Sequence, residues 1–186
     1  MHDLFTALAS ITNFLRVRGI PHMVVGGLAN LVWGQARLTE DVDLTIWDAS
    51  ANLDPCIKDL TEAGFVVVPP DPAAFAATMR VLPLQAPNGI KIDLILAMLP
   101  MEKTAIERAL PLRIGSTEVP VCTAEDLIIL KAVSTRLKDK EDVRGVIDRM
   151  GKRLDLTYLL PILRELGILL DHGGIAELCR ELEGWR

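Results

Sequence analysis

The chain has 186 residues, half of them hydrophobic, and a formal net charge of −5. That length suits one domain with room for a small appendage, the apolar fraction excludes a disordered chain, and the acidic balance excludes a protein coated with nucleic acid over its whole surface. No apolar run approaches the ~20 residues that span a bilayer, and MHDLFTALAS lacks the basic leader and apolar stretch of a signal peptide, so a cytoplasmic protein without a membrane span is expected.

Residues 3–18 carry Leu4, Leu8, Ile11 and Leu15 at helical spacing, and Gly19 with Pro21 ends the run. A short strand over 22–25 stops at Gly26-Gly27, and a helix follows over 28–33, closed by Gly34. Residues 41–47 alternate cleanly: Val42, Leu44 and Ile46 point one way, Asp41, Asp43 and Thr45 the other. A helix over 55–63 with Gly64 as its stop and a strand over 65–68 precede a break at 69–72. Strands over 79–85 and 91–97 flank Asn88-Gly89, a strong hairpin signal. A helix over 101–109 and a short hairpin pairing 112–114 with 119–121 around Gly115 follow. From Thr123 onward the pattern is helical: 124–135, 140–150, 156–166 and 175–182. The expected fold is therefore α/β (α+β), with a mixed, mostly antiparallel sheet, helices on one face, and a C-terminal helical region. The expected division is a core over 1–122 and helices over 123–186, packed as one unit.

The chemistry concentrates in 24–46. Two adjacent glycines let a backbone turn sharply and approach a ligand, and a helix starting there offers free N–H groups to phosphate. Asp41 and Asp43 share one strand face, and Asp93 stands in a similar setting, opposite Ile92 and Leu94. If the two strands are neighbours, three carboxylates converge, and a cation is needed to relieve their repulsion. Hard oxygen donors of this kind suit Mg²⁺ or Mn²⁺ and chemistry at phosphorus.

These residues resemble a known superfamily. Gly26-Gly27, then Asp41-Val42-Asp43, then Asp93 on a later strand look like the nucleotidyltransferases related to DNA polymerase beta. The fuller string, G-G-L-A at 26–29, Gly34, and R-x-T-x-D-V-D at 37–43, is similar to the minimal branch that includes abortive-infection toxins of toxin–antitoxin pairs. T-A-E-D-L-I-I-L-K at 123–131, with Arg136, Lys138-Asp139 and Asp142, resembles that branch too. The resemblance implies a nucleotidyltransferase fold and transfer of NMP from an NTP such as ATP to a hydroxyl acceptor, with pyrophosphate leaving. It makes Asp41, Asp43 and Asp93 the metal-binding and catalytic residues. Gly26, Gly27, Arg37 and Lys131 become the nucleotide-binding set, with Lys138 and Asp139 as further candidates. It leaves tRNA, a protein hydroxyl and a small antibiotic all open as acceptor; the likeness to the toxin branch leans to tRNA and brings an antitoxin protein as a candidate partner. Many members have Gly-Ser where this chain has Gly26-Gly27, which removes one hydroxyl from the phosphate side.

Each residue has a plainer reading. The acids form a solvated face, the glycines a tight turn. Lys131 is a solvent-facing helix lysine, Arg37 pairs with Asp41, and Asp139 N-caps a helix from Lys140, with Asp142 in its first turn. His22 is a strand-edge residue; Trp33, Trp47 and Trp185 are packing groups. Cys56, Cys122 and Cys179 have neither metal nor redox spacing and read as buried, reduced thiols. Residues 131–153 hold eight basic and four acidic side chains, so this segment is +4 and the remainder −9. It serves either RNA or triphosphate binding or a solvated helix face with ion pairs. The function-level alternatives are an inactive nucleotide-binding module acting through a partner, a transferase for small antibiotics, and another DxD metal enzyme such as a nuclease or glycosyltransferase.

Overall fold

The alternating strand at 41–46 sits inside a sheet, and its two faces have opposite fates. In the computed structural model, which describes residues 2–47 and 53–184, the strand is β2 (Asp41–Ile46). Val42, Leu44 and Ile46 are completely buried, while Asp41 and Asp43 are half-buried. The neighbour on one side is β5 (Lys91–Leu96), whose Ile92 and Leu94 are also fully buried. Each such side chain contributes about 1.5–3 kcal/mol when removed from water, so this apolar face anchors the sheet.

Among the described residues the sheet has seven strands. The others are β1 (His22–Val24), β3 (Val66–Val67), β4 (Val81–Gln85), β6 (Leu110–Ile114) and β7 (Thr117–Val121). Their order is β3-β4-β5-β2-β1-β7-β6. The pairs β2·β5 and β1·β7 are parallel, and the remaining pairs are antiparallel, so the sheet is mixed and mostly antiparallel, as expected. Asn88-Gly89 joins β4 to β5, with Gly89 at φ +84°. Helix α1 (His2–Val17) buries Leu4, Leu8, Ile11 and Leu15 and packs on β2 and β7. His22 lies on β1, an interior strand, and is buried; the strand-edge reading is incorrect. Its Nδ1 lies 2.8 Å from the Ile20 carbonyl oxygen, and burial holds its pKa below the ordinary value, the Ile20 contact opposing.

Five further departures concern where elements begin and end. The helix after β1, α2 (Gly26–Trp33), begins at the glycine pair itself. A helix follows the break at 69–72, over residues that the sequence pattern leaves unassigned: α4 (Pro72–Met79) starts with Asp71 accepting from the Ala74 N–H at 3.2 Å and Pro72 at the first helical position. Arg80 closes it in the left-handed region at φ 57°, which moves the start of β4 to Val81. Helix α6 (Ala124–Ala132) ends three residues early, and α7 (Leu137–Met150) begins three residues before Lys140.

The chain divides into two compact units, residues 1–28 with 38–122, and residues 29–37 with 123–186. The first holds the sheet, α1, α3 (Asp54–Glu62), α4 and α5 (Pro100–Arg108). The second is helical, with α6, α7, α8 (Leu156–Leu169) and α9 (Gly173–Glu183). Segment 29–37 is tied into it by polar bonds. Arg149 donates to the Gly34 carbonyl at 2.8 Å and Arg37 Nε to Asp142 Oδ1 at 2.8 Å, while Asn30 Nδ2 braces the segment internally by donating to the Gln35 carbonyl at 2.9 Å. A Cβ on Gly145 would lie 3.3 Å from the Gln35 backbone nitrogen, so α7 comes close to this segment.

Candidate functional site

The parallel register of β2 and β5 places Asp43 directly opposite Asp93, and Asp41 opposite Lys91. Neighbouring strands lie ~4.8 Å apart, so three carboxylates share one polar face. Burial, then the Asp41 charge, pushes the Asp93 carboxyl above its ordinary pKa, while Lys91 pulls the other way.

The glycine pair lies beside these acids. Gly26 has φ +62°, and a Cβ there would stand 1.9 Å from Asp43 Oδ2. A Cβ on Gly27 would stand 2.3 Å from Thr39 Oγ1. Both residues therefore need to be glycine, and the space above each is filled by a side chain from the segment leading into β2 or from β2 itself. Thr39 Oγ1 donates to Asp41 Oδ1 at 2.9 Å. Thr39 was not among the expected site residues; its place in R-x-T-x-D-V-D was the available signal.

The second unit gathers another set of predicted residues. Lys131 is buried, and its Nζ lies 2.7 Å from Asp139 Oδ1 and 2.7 Å from Asp142 Oδ2. Arg37 holds Asp142 with both prongs of its guanidinium, Nε and Nη2 each at 2.8 Å. Arg136 Nε donates to Asp139 Oδ2 at 2.6 Å. Lys131 is thus no solvent-facing lysine, and the partner seen for Arg37 is Asp142 rather than Asp41. Asp139 is not a cap either: α7 starts at Leu137, so Asp139 stands inside its first turn and binds cations. Burial pushes Asp139 up, but hydrogen bonds from Lys131, Ser134 and Arg136 outweigh it and leave the carboxyl at about 2. Asp142 follows the same balance, burial opposing Arg37 and Lys131, and also ends below its ordinary value. Lys138 is exposed on α7. A cavity of about 270 Å³ lies within this unit, lined by Lys131, Lys140, Arg144, His172 and the apolar Val143 and Ile147 among others.

The donor set on β2 and β5 is all carboxylate oxygen, the chemistry that hard divalent cations prefer. Among the described residues, no three His, Cys, Asp or Glu side chains are already drawn together as a metal cage. Cys56, Cys122 and Cys179 are buried and form no disulfide among the described residues. Trp47 lies beneath Lys103, whose Nζ is 5.6 Å from the ring centroid; Trp185 lies outside the described residues. No described helix is long and apolar enough to cross a membrane.

The mixed sheet with its helices is a nucleotidyltransferase fold. Three solved structures share it at low sequence identity. The lincosamide antibiotic adenylyltransferase LnuA, lincomycin-bound, superposes with a TM-score of 0.52 at 15% identity over 76% of this chain and 94% of that one. An antigenic nucleotidyltransferase-like protein from Paracoccidioides brasiliensis gives 0.55 at 18%, over 96% and 93%. The antibiotic-resistance factor ANT(2'')-Ia gives 0.56 at 18%, over 90% and 95%. No curated protein sequence matches the chain. Residues 4–165 match the family described as "Nucleotidyl transferase of unknown function (DUF2204)". The chain belongs to that family and is a nucleotidyltransferase.

Proposed function

We propose that the chain transfers an NMP from an NTP to a hydroxyl acceptor with Asp41, Asp43 and Asp93 as its catalytic acids. The observation that carries this reading is the register: Asp43 faces Asp93 across parallel strands, with Asp41 two residues away on the same face. These three residues would hold Mg²⁺ or Mn²⁺, which supplies charge neutralisation for displacement at phosphorus. Within the same reading, Asp93 accepts a proton from the acceptor hydroxyl, as a carboxylate beside the reacting group can. The N-terminus of α2 at Gly26 and Gly27 offers backbone N–H groups to the triphosphate. Arg37 and Lys131 belong to the proposed nucleotide-binding set, and Asp139 acts by orienting Lys131. Lys138, exposed beside Asp139, completes the list of candidates.

For the acceptor, tRNA follows from the resemblance to abortive-infection toxins, which also brings an antitoxin protein partner and a cytoplasmic setting. A second reading, a small hydroxylated antibiotic, is favoured by the fold neighbours LnuA and ANT(2'')-Ia, whose descriptions name antibiotics. One experiment tests both levels. Each labelled NTP is incubated with the protein and Mg²⁺ or Mn²⁺, together with tRNA, cell protein, or aminoglycoside and lincosamide drugs. Label on one acceptor class identifies it. Absence of any transfer, with Asp43→Asn behaving like wild type in every arm, would count decisively against the three-acid assignment.

A further inference from the structure

Each carboxylate of β2 is backed by one residue of the glycine pair, but in different ways. Asp43 fills the space over Gly26 directly, its Oδ2 1.9 Å from where a Cβ would stand. Over Gly27 the space is filled by Thr39, with Oγ1 at 2.3 Å and Cβ at 2.7 Å from that position. Thr39 then donates to Asp41 Oδ1 at 2.9 Å. A hydroxyl has one proton to give, and of its two acceptors, Asp41 Oδ1 at 2.9 Å and the Asp41 carbonyl at 3.4 Å, the carboxylate is the nearer, while branching at Cβ restricts the side chain to few rotamers. Asp41 is therefore held from behind by a hydroxyl whose own seat exists only because residue 27 has no side chain.

We propose that Thr39 is the positioning residue for Asp41, and that Gly27 and Thr39 form one coupled pair that sets the acid's orientation toward a divalent cation. The inference rests on the reading that Asp41, Asp43 and Asp93 bind that cation. A partner that orients a ligating carboxylate typically changes metal affinity by roughly 10- to 100-fold. Thr39 lies in the coil before β2, so losing its hydroxyl removes no helix or sheet bond. The steric half is independent of metal: a methyl at 27 collides with Thr39, and relief requires Thr39 to lose its Cβ as well as its hydroxyl.

The test uses the full chain, with Mn²⁺ alone as probe, followed by electron paramagnetic resonance of the free ion, and melting temperatures without metal. Thr39→Val should weaken Mn²⁺ binding by roughly 10- to 100-fold while its metal-free melting temperature stays close to wild type. Thr39→Ser, which keeps the donor, should restore binding. Gly27→Ala should lower the metal-free melting temperature of the wild-type chain and do so much less in a Thr39→Gly background. Wild-type affinity in Thr39→Val, with Asp43→Asn failing to bind, overturns the positioning role and leaves the carboxylate reading standing. A wild-type chain that binds Mn²⁺ no better than Asp43→Asn removes both. Additive effects of the Gly27 and Thr39 changes overturn the coupling.

Discussion

Lys131→Met is the sharpest probe of the second unit. The lysine is 8% exposed and bonds two carboxylates that are themselves almost completely covered, Asp139 at 2.7 Å and Asp142 at 2.7 Å. Removing one partner of a buried ion pair costs about 3–5 kcal/mol, because the orphaned charge stays out of water. Two features place this case at the low end. Asp142 keeps its two-pronged bond to Arg37, and Asp139 keeps Arg136, whose side chain is largely exposed and therefore a weaker partner. A loss of about 3 kcal/mol in a chain of this size lowers the melting temperature by roughly 6–12 °C. Thermal denaturation followed by far-UV circular dichroism reads this directly. The pH dependence gives a second handle. In the variant the Asp139 carboxyl rises, since burial is less opposed, so acid can neutralise it. The gap between wild type and variant should be full near neutral pH and narrow as pH falls toward about 4. A drop of only about 1–2 °C, or a gap that does not change with pH, would refute the account of Lys131 as the buried counter-charge.

Other perturbations follow from single contacts. Gly26→Ala forces a side chain into the left-handed region, at about 1 kcal/mol or more, and drives a Cβ into Asp43. It should lower the melting temperature and abolish transfer, whereas Asp43→Asn should abolish transfer with little loss of stability; equal melting temperatures for Gly26→Ala and wild type would contradict the geometry. Asp139 has its carboxyl depressed from 3.8 to about 2. Its stabilisation is thus complete above 3.8 and lost as pH falls from there through about 2, an effect of roughly 2 kcal/mol. Urea unfolding across that range should show a steeper acid loss for wild type than for Asp139→Asn, and parallel profiles would disprove it. Saturating Mg²⁺ with the NTP that serves as donor should raise the wild-type melting temperature by mass action and leave that of Asp43→Asn unmoved.

The sheet was legible because its signals are local. Alternation in 41–47, the Asn88-Gly89 turn and the second alternating strand at 91–97 specify β2, β4 and β5, and their adjacency puts Asp43 opposite Asp93. Helix α4 was missed because its apolar residues, Ala73 to Met79, carry no periodicity. The Asp71-Pro72 start, a cap followed by a proline at the first helical position, was the readable sign. Asp139 was misread for a related reason: Arg136 is an uncharacteristic cap with no side-chain bond, so Lys140 looked like the helix start. The association of Arg37 with Asp142 spans 105 residues, and no local pattern encodes a pairing at that distance. Nor does any local rule show that segment 29–37 groups with residues 123–186.

That last grouping changes how the basic segment should be tested. Counted along the sequence, residues 131–153 carry +4, and the arginines look like phosphate ligands for an RNA acceptor. In the folded chain they have structural duties. Arg144 pairs with Glu181. Arg149 holds the Gly34 carbonyl at 2.8 Å, and Arg153 holds the Arg149 carbonyl at 2.5 Å. Replacing these three would disturb α7, α9 and segment 29–37 together, so a loss of RNA binding would say nothing about phosphate contact. Lys138, Lys140 and Lys152 are exposed and better placed as reporters. If tRNA is the acceptor, the triple change of these lysines to Gln should weaken tRNA binding at low salt. It should also flatten the log–log salt dependence by about 2–3, since each phosphate contact contributes somewhat under one to that slope. The melting temperature should be unchanged, because all three side chains are exposed. A small-molecule acceptor predicts acceptor binding that is insensitive to both salt and the triple change. Unaltered tRNA affinity and slope in that variant would exclude these lysines as the RNA surface and shift the balance to the antibiotic reading.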